Sequence, residues 1–538
     1  MVCLAERCNA RKLRLMSGQA LSATGARGGI AVAPEHHASQ AGISILMDGG
    51  TAIEAAVAMA AALGVTYPHM TGMGGDAFWL VQRPGDPPLA IMGCGGAGEA
   101  ATLELYRGQA RIAPRGPLAA NTVAGAVSSW QAALALPGAS RLGLARVLRD
   151  AIDFAADGVP VAPGLARTIA AKREELSGVE GWSDLFGTAN VSIRNARLAK
   201  TMARVAAYGL QTFYTNGLAD DIAADLAEVG APVTRDDLAM HRASVERPLH
   251  VRLKDCVVSS SPPPTQGFAS LLIMALIDRV GAAPESLAQV HAIVEATKLA
   301  FAIRNRDVHD PAFMTLDCQG MLDDVDLLDM MAARINPAKA ARWPRGGCAG
   351  DTTWIGAADR DGCVVSMIQS IYFEFGSGVV LPRTGLLWQN RGTSFRLAAD
   401  GWNALAPGRL PFHTLNPSMA LFDDGRVMAF GTMGGEGQPQ TQAALFTRYA
   451  RNGMSLADSV AAPRWLLGRT WGDETTALRV ESRLDAKVVD GLRDAGHAVK
   501  MVEDYSDLMG HAGAIVRHGD GALDGASDPR ADGGVAWT

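Results

Sequence analysis

Thr352 is the residue whose setting could do chemistry. It follows the stretch PAKAARWPRGGCAGD (337–351), rich in glycine, proline and basic residues, and opens an apolar run, with Asp351 before it and Thr353 after it. Inside a chain a threonine hydroxyl is a poor nucleophile. If the peptide bond before Thr352 were broken, the new α-amino group, with a pKa of about 7.7–8.0, could take the proton from the hydroxyl of its own residue. Thr-Thr at the start of a strand is also what β-propensity alone produces. Taken alone, the residues leave both readings open.

Other chemistries lack their residue patterns. No GxxxxGK[ST] phosphate loop and no GxSxG elbow occurs. Gly72-Met73-Gly74-Gly75 leads into an apolar strand-like run, where a dinucleotide site needs a helix N-terminus, so a tight turn is expected there. His36 and His37 are adjacent, and His69, His241, His250 and His291 have no partner at zinc-ligand spacing. Each reads as an ordinary surface or core residue.

The elements that must position Thr352 are legible on both sides of it. GGIAVA (28–33) reads as a strand, Thr51-x-x-Glu54 is a capping box ahead of an apolar helix over 55–63, and 77–81 reads as a buried strand. Helical patterns cover 122–208, 218–229 and 266–305, with Pro262-Pro263-Pro264 setting up the last of these. After the exposed stretch at 337–351 the character changes. Two β-favouring runs flank Asp361-Gly362, a hairpin signal, and GVVLP, GLLWQN, RVMAFG and GAIVRHG read as further short strands, with one helix at 456–462. Helix-rich first and strand-rich second, the chain is expected to form a layered body whose sheets draw on both halves. Residues 1–27 are polar and irregular and read as a loose arm.

Composition narrows the partners. With 48% hydrophobic and 19% charged residues over 538, the chain is large enough for a multilayer core and is not disordered. A net charge of −6 and no Lys/Arg block give no electrostatic footprint for nucleic acid or an anionic membrane, so a small-molecule partner is expected. The longest apolar run, Ala55–Val65, is too short to span a bilayer, and charges at Glu6, Arg7, Arg11, Lys12 and Arg14 interrupt any signal peptide. Seven scattered cysteines without a CxxC fit reduced thiols, and a cytoplasmic location is expected.

From about Gly28 onward the chain resembles the γ-glutamyltransferase family of N-terminal nucleophile hydrolases. The resemblance lies in AGISILMDGGTAIEAAVAMAAALGVTYPHMTGMGGDAFWLV, SSPPPTQG, EATKLAFAIR, DTTWIGAADRDGCVVS, FGSGVVLPRTGLLWQN, GTMGGEGQPQ and DGASDPR, in order and at matching spacing. It implies an α+β fold, a four-layer αββα sandwich with sheets shared between two subunits cut from one precursor. The cut would fall between Asp351 and Thr352, giving a large subunit (28–351) and a small one (352–538) headed by Thr352 as nucleophile. The resemblance puts the second hydroxyl on Ser370, the oxyanion donors on the backbone of Gly434 and Gly435, and an orienting role on Thr353. No metal or organic cofactor is implied, and association of heterodimers into a higher oligomer is left open.

The departures from the family bear on the substrate. Cys94 stands where transpeptidases carry an arginine for the glutamate α-carboxylate, and His413 and Thr414 replace the paired serines. Tyr372, Arg391 and Ser394 replace the residues that grip the α-ammonium group. An arginine in place of acid and amide groups favours a carboxylate over an ammonium. A structural arginine paired with an acid remains an alternative for Arg391, and a structural role is an equal one for His413. Together with IQSIYFEFGSG, LLWQNRG and LPFHT, this is similar to the oxamate amidohydrolase branch, which implies oxamate hydrolysis to oxalate and ammonia within purine breakdown. The alternatives are γ-glutamyl transfer from glutathione, an acylase of the glutaryl or cephalosporin type, and an uncut scaffold without activity.

Overall fold

The computed structural model describes residues 21–189, 191–343, 351–468 and 477–538. Two seven-stranded antiparallel sheets organise it. The first runs Leu21–Ala26, Leu523–Ser527, Ala512–Arg517, Val427–Thr432, Ser418–Phe422, Cys256–Ser260, Leu249–Arg252. The second runs Gly534–Trp537, Gly29–Ala33, Asp351–Asp359, Val364–Tyr372, Asp76–Gln82, Leu89–Gly93, Ser244–Glu246. Both sheets take strands from before and after position 352. A cut there would leave two pieces joined by ladders between Asp351–Asp359 and Gly29–Ala33 and between Val364–Tyr372 and Asp76–Gln82.

Three packed interfaces make the layers. Helices His36–Met47, Ala52–Thr66 and Ala126–Leu134 cover the outer face of the second sheet, against Trp79, Ile355 and Met367. Gly267–Val280, Leu287–Asp307 and Gly437–Ala450 cover the outer face of the first, against Met428, Phe430 and Val516. Phe78, Leu80, Trp354, Ile368, Met419 and Ile515 fill the space between the sheets. The order is helix, sheet, sheet, helix. Among the described residues no helix is long and apolar enough to cross a membrane.

The capping box forms as expected. Thr51 accepts from the Glu54 N–H while the Glu54 carboxylate accepts from the Thr51 N–H, and the fully buried helix Ala52–Thr66 follows. The Asp361-Gly362 hairpin joins the two central strands of the second sheet, with Gly362 at φ 91°.

Several expectations are corrected. The arm does not extend to residue 27: Leu21–Ala26 is an edge strand, which only Ala23 and Ala26 face inward. The helix expected over 266–305 is two, because Gly281 closes the first in a left-handed cap and Ser286 caps the second. GVVLP and GLLWQN are not strands but loop segments tied by isolated bridges, Val380 to Leu387 and Gly74 to Trp388. Of the exposed stretch at 337–351, residues 344–350 lie outside the described residues.

Trp354 shows how tightly the sheets meet. Its indole N–H donates to Ser366 Oγ at 3.0 Å, and its ring lies where side chains at Gly356, Gly431 and Gly513 would stand. Gly431→Ala is therefore expected to cost about 1–3 kcal/mol through overpacking, seen as a lower midpoint of thermal unfolding. An unchanged midpoint would contradict this packing.

Candidate active site

Strand alternation builds the site's floor. Trp354 and Ala358 face the second sheet's partner, whereas Ile355 and Ala357 face the helices, so Thr352 points between the sheets. The same parity puts Ser370 with Ile368, Asp76 with Phe78, and Cys94 with Met92 on that face. Register aligns them: Ser370 lies opposite Asp76, and Ala77 lies opposite Gly93, next to Cys94. Hydroxyl, hydroxyl, carboxyl and thiol thus form a row across four neighbouring strands, roughly 14 Å long at the usual strand spacing of about 4.8 Å.

A bulge shapes the row at the end nearest Thr352. Asp351 pairs with Tyr372 and Thr353 with Gln369, so Thr352 alone opposes both Ser370 and Ile371. Tyr372 follows at φ 82°, and its N–H donates to Ser370 Oγ at 2.8 Å. The strand end is braced from behind by Gly74 and Gly75, whose missing side chains admit the backbone of Leu387 and of Ser370. This is the tight turn the sequence suggested.

Thr352 is 1% exposed, and its hydroxyl accepts from the Gln438 amide at 3.0 Å. Gln438 belongs to the first turn of helix Gly437–Ala450 and in turn accepts from the Asn416 N–H. Ahead of that helix Gly434 and Gly435 adopt φ values of 121° and 47°, backbone that a side chain would strain. Gln266 buckles this turn to the facing wall: its amide donates to the Gly435 carbonyl at 2.8 Å and to the Thr414 carbonyl at 2.6 Å. Arg304, fully buried, donates to Gln266 Oε1 and to Glu436, both at 2.7 Å, and locks the buckle.

Arg391 begins a short 3-10 turn, Arg391–Ser394, and is 1% exposed. Its guanidinium lies 3.6 Å over the Tyr372 ring and donates to Thr414 Oγ1 at 3.3 Å. Beside it stands His413, edge-on to Phe78, with Nε2 3.3 Å from Asp76 Oδ2. Burial, with Arg391 adding to it, pushes the His413 imidazole well below its ordinary range. Burial pushes the Asp76 carboxyl up to about 7, against the opposing pull of the Gly125 N–H, the Gln389 amide and Arg391. The His413–Asp76 contact has the spacing of an ion pair but is a neutral imidazole beside a carboxyl that titrates near neutrality. Burial, then Asp76, raises the Cys94 thiol well above its usual value, so Cys94 is an uncharged group at the far end of the row.

Thr352, Ser370, Tyr372, Arg391, His413, Thr414 and Cys94 are thus assembled around one end of the space between the sheets. Thr353 faces the other way, and its hydroxyl donates to the Gln369 carbonyl at 2.9 Å. Gln438 meets the Thr352 hydroxyl. Ser394 is half-buried and engaged with Asn403 and the Phe412 carbonyl, as part of its own loop. Sequence reasoning missed Asp76, Gln266, Arg304 and Gln438. Only Asp76 left a signal, a carboxylate heading an otherwise apolar buried strand.

Among the described residues, two clusters outside this site carry metal-ligand groups: Glu35, His36 and His37, and the buried set His291, Glu295 and His497. Glu35 caps helix His36–Met47. In the second cluster Lys298 Nζ lies 2.6 Å from Glu295, and His291 is held between His497 and the Asn336 carbonyl. A lysine already supplies the cation there.

A family model described as gamma-glutamyltranspeptidase matches residues 38–538. The chain is 49% identical over 518 residues to the oxamate amidohydrolase proenzyme of Klebsiella pneumoniae subsp. pneumoniae, covering 94% of this chain and 98% of that one. It is 39% identical over 515 residues to the glutathione hydrolase-like YwrD proenzyme of Bacillus subtilis, covering 93% and 97%. Among solved structures, the cephalosporin acylase from Bacillus halodurans superposes with a TM-score of 0.87 at 31% identity, covering 96% of this chain and 97% of that one.

Proposed function

The chain belongs to the gamma-glutamyltranspeptidase family, and from that premise we propose that it is a self-cutting amidohydrolase acting on a small carboxylate-bearing amide, with oxamate as its substrate. The observation that carries this reading is the shared placement of a buried threonine hydroxyl and a buried arginine at one end of one sheet face. The first group is what amide cleavage needs. The second is what an anionic acyl group needs.

In the precursor the Thr352 hydroxyl attacks the Asp351 carbonyl and the C–N bond breaks, giving an ester and the free α-amino group; water then hydrolyses the ester, restoring the hydroxyl and leaving Asp351 with a terminal carboxylate. In turnover that amine, through a water, accepts the hydroxyl proton while the oxygen attacks the amide carbon. The N–H groups of Gly434 and Gly435 receive the developing oxyanion, Ser370 and Gln438 orient the hydroxyl, and ammonia leaves with the transferred proton. Water then hydrolyses the acyl ester to oxalate and restores threonine. The substrate carboxylate faces Arg391 and Thr414.

A second reading, an acylase for larger anionic acyl groups, is favoured by the likeness to the Bacillus halodurans cephalosporin acylase. Ammonia release from oxamate, compared with amine release from a glutaryl amide and a γ-glutamyl anilide, separates the readings. Oxamate is expected to give the highest kcat/KM, by roughly a hundredfold over the γ-glutamyl compound. A better rate on either competitor would replace oxamate by that class.

A further inference from the structure

Asp76 has no part in the steps above, yet it stands beside the groups that would bind the substrate. It is fully buried in the row between Ser370 and Cys94. Oδ1 accepts from the Gly125 N–H at 2.9 Å and the Gln389 amide at 3.1 Å. Gln389 also donates to the Val123 carbonyl, so the carboxyl is held on both sides and cannot swing away. Oδ2 faces His413 and has no close hydrogen bond among the described residues, though the Gly95 N–H also pulls on the carboxylate. With two donors on Oδ1, a proton on this carboxyl belongs on Oδ2.

The ionisable groups around Asp76 are few. Arg391 acts from the 3-10 turn, His413 from the facing wall, Cys94 from the neighbouring strand, and Tyr214 from beneath, its hydroxyl receiving the Ser128 N–H and donating to the Ala124 carbonyl. His413, Cys94 and Tyr214 are held uncharged by burial near neutral pH. Among these side chains the charge therefore varies with Asp76; the α-amino group freed at Thr352 also titrates, from the other end of the row, and Asp76→Asn separates the two contributions. Arg391 supplies one positive charge, and a charged Asp76 opposes it in surroundings where screening is weak.

We propose that Asp76 is a specificity-determining residue: uncharged, it does not oppose the attraction of the pocket for an anionic substrate, and charged, it weakens that attraction. This rests on the anionic-amide reading of the same pocket. The direction follows from linkage. Burial raises the carboxyl to about 7, so the acid is neutral below that pH and anion affinity is highest there; affinity falls as pH rises through it. The device would leave a neutral substrate of the same shape unaffected.

The test follows competitive inhibition by oxalate and by the neutral oxamide from pH 5.5 to 8.5 for the wild type, Asp76→Asn and Arg391→Gln, against whichever amide is turned over. Wild-type oxalate affinity is expected to fall roughly tenfold or more across that range relative to oxamide. Asp76→Asn should hold tight binding at the alkaline end. A flat oxalate-to-oxamide ratio in the wild type, which needs no variant to fold, overturns the proposal, as does an unchanged fall in Asp76→Asn. If Arg391→Gln binds oxalate as the wild type does, the anion pocket itself is wrong, a separable outcome.

Discussion

Thr352→Ala is expected to run as one full-length chain on a denaturing gel, where the wild type should give two fragments near two-thirds and one-third of the mass. Its amidase activity should fall by about 10⁴-fold or more, the scale of removing a covalent nucleophile. One residue would account for both losses, because in the proposed mechanism the hydroxyl that opens the Asp351–Thr352 bond is the one that later attacks substrate. The fold should survive the change. Thr352 is buried at a strand head, and alanine there removes a hydroxyl that accepts from Gln438 without touching the ladder. Thr352→Ser keeps the hydroxyl and is expected to cut and turn over at a reduced rate. Mature, fully active enzyme in which N-terminal sequencing finds residue 352 still joined to Asp351 would end the proposed mechanism, as would two fragments from the alanine variant.

What the sequence disclosed and what it hid divide along a physical line. Local signals were readable: the Thr51–Glu54 box needs four residues, and the Asp361-Gly362 hairpin needs a turn and two apolar flanks. Leu21–Ala26 was hidden because an edge strand with two inward alanines and a positive-φ Gly25 has almost no hydrophobic pattern. GVVLP and GLLWQN misled in the opposite sense. Their β-branched and leucine residues are buried in the core between the second sheet and its helices, which rewards apolar side chains without requiring a ladder. In the site, Thr352 and the glycine turn could be placed by the family resemblance. Asp76, Gln266, Arg304 and Gln438 could not, because each acts through a partner remote in sequence, such as the 86 residues between Gln438 and Thr352.

Arg391→Gln is expected to raise KM for oxamate by about a hundredfold while changing kcat much less. A hydrogen-bonded buried charge contributes about 1.5–3 kcal/mol to binding its partner, and loss of the charge itself weakens the pocket further. The split between the two constants matters because the carboxylate is bound alike before and during attack, so its loss is uniform. A merely structural arginine predicts something else. Arg391 stacks on Tyr372, whose N–H is bonded to Ser370 Oγ, so collapse of that stack would disturb the nucleophile's neighbour and lower kcat for every amide, charged or not. The decisive comparison is therefore between oxamate and an uncharged amide in the same variant. A KM rise confined to the anion supports a binding arginine; an equal fall in kcat on both would assign Arg391 to the scaffold and return the choice of substrate to the row itself.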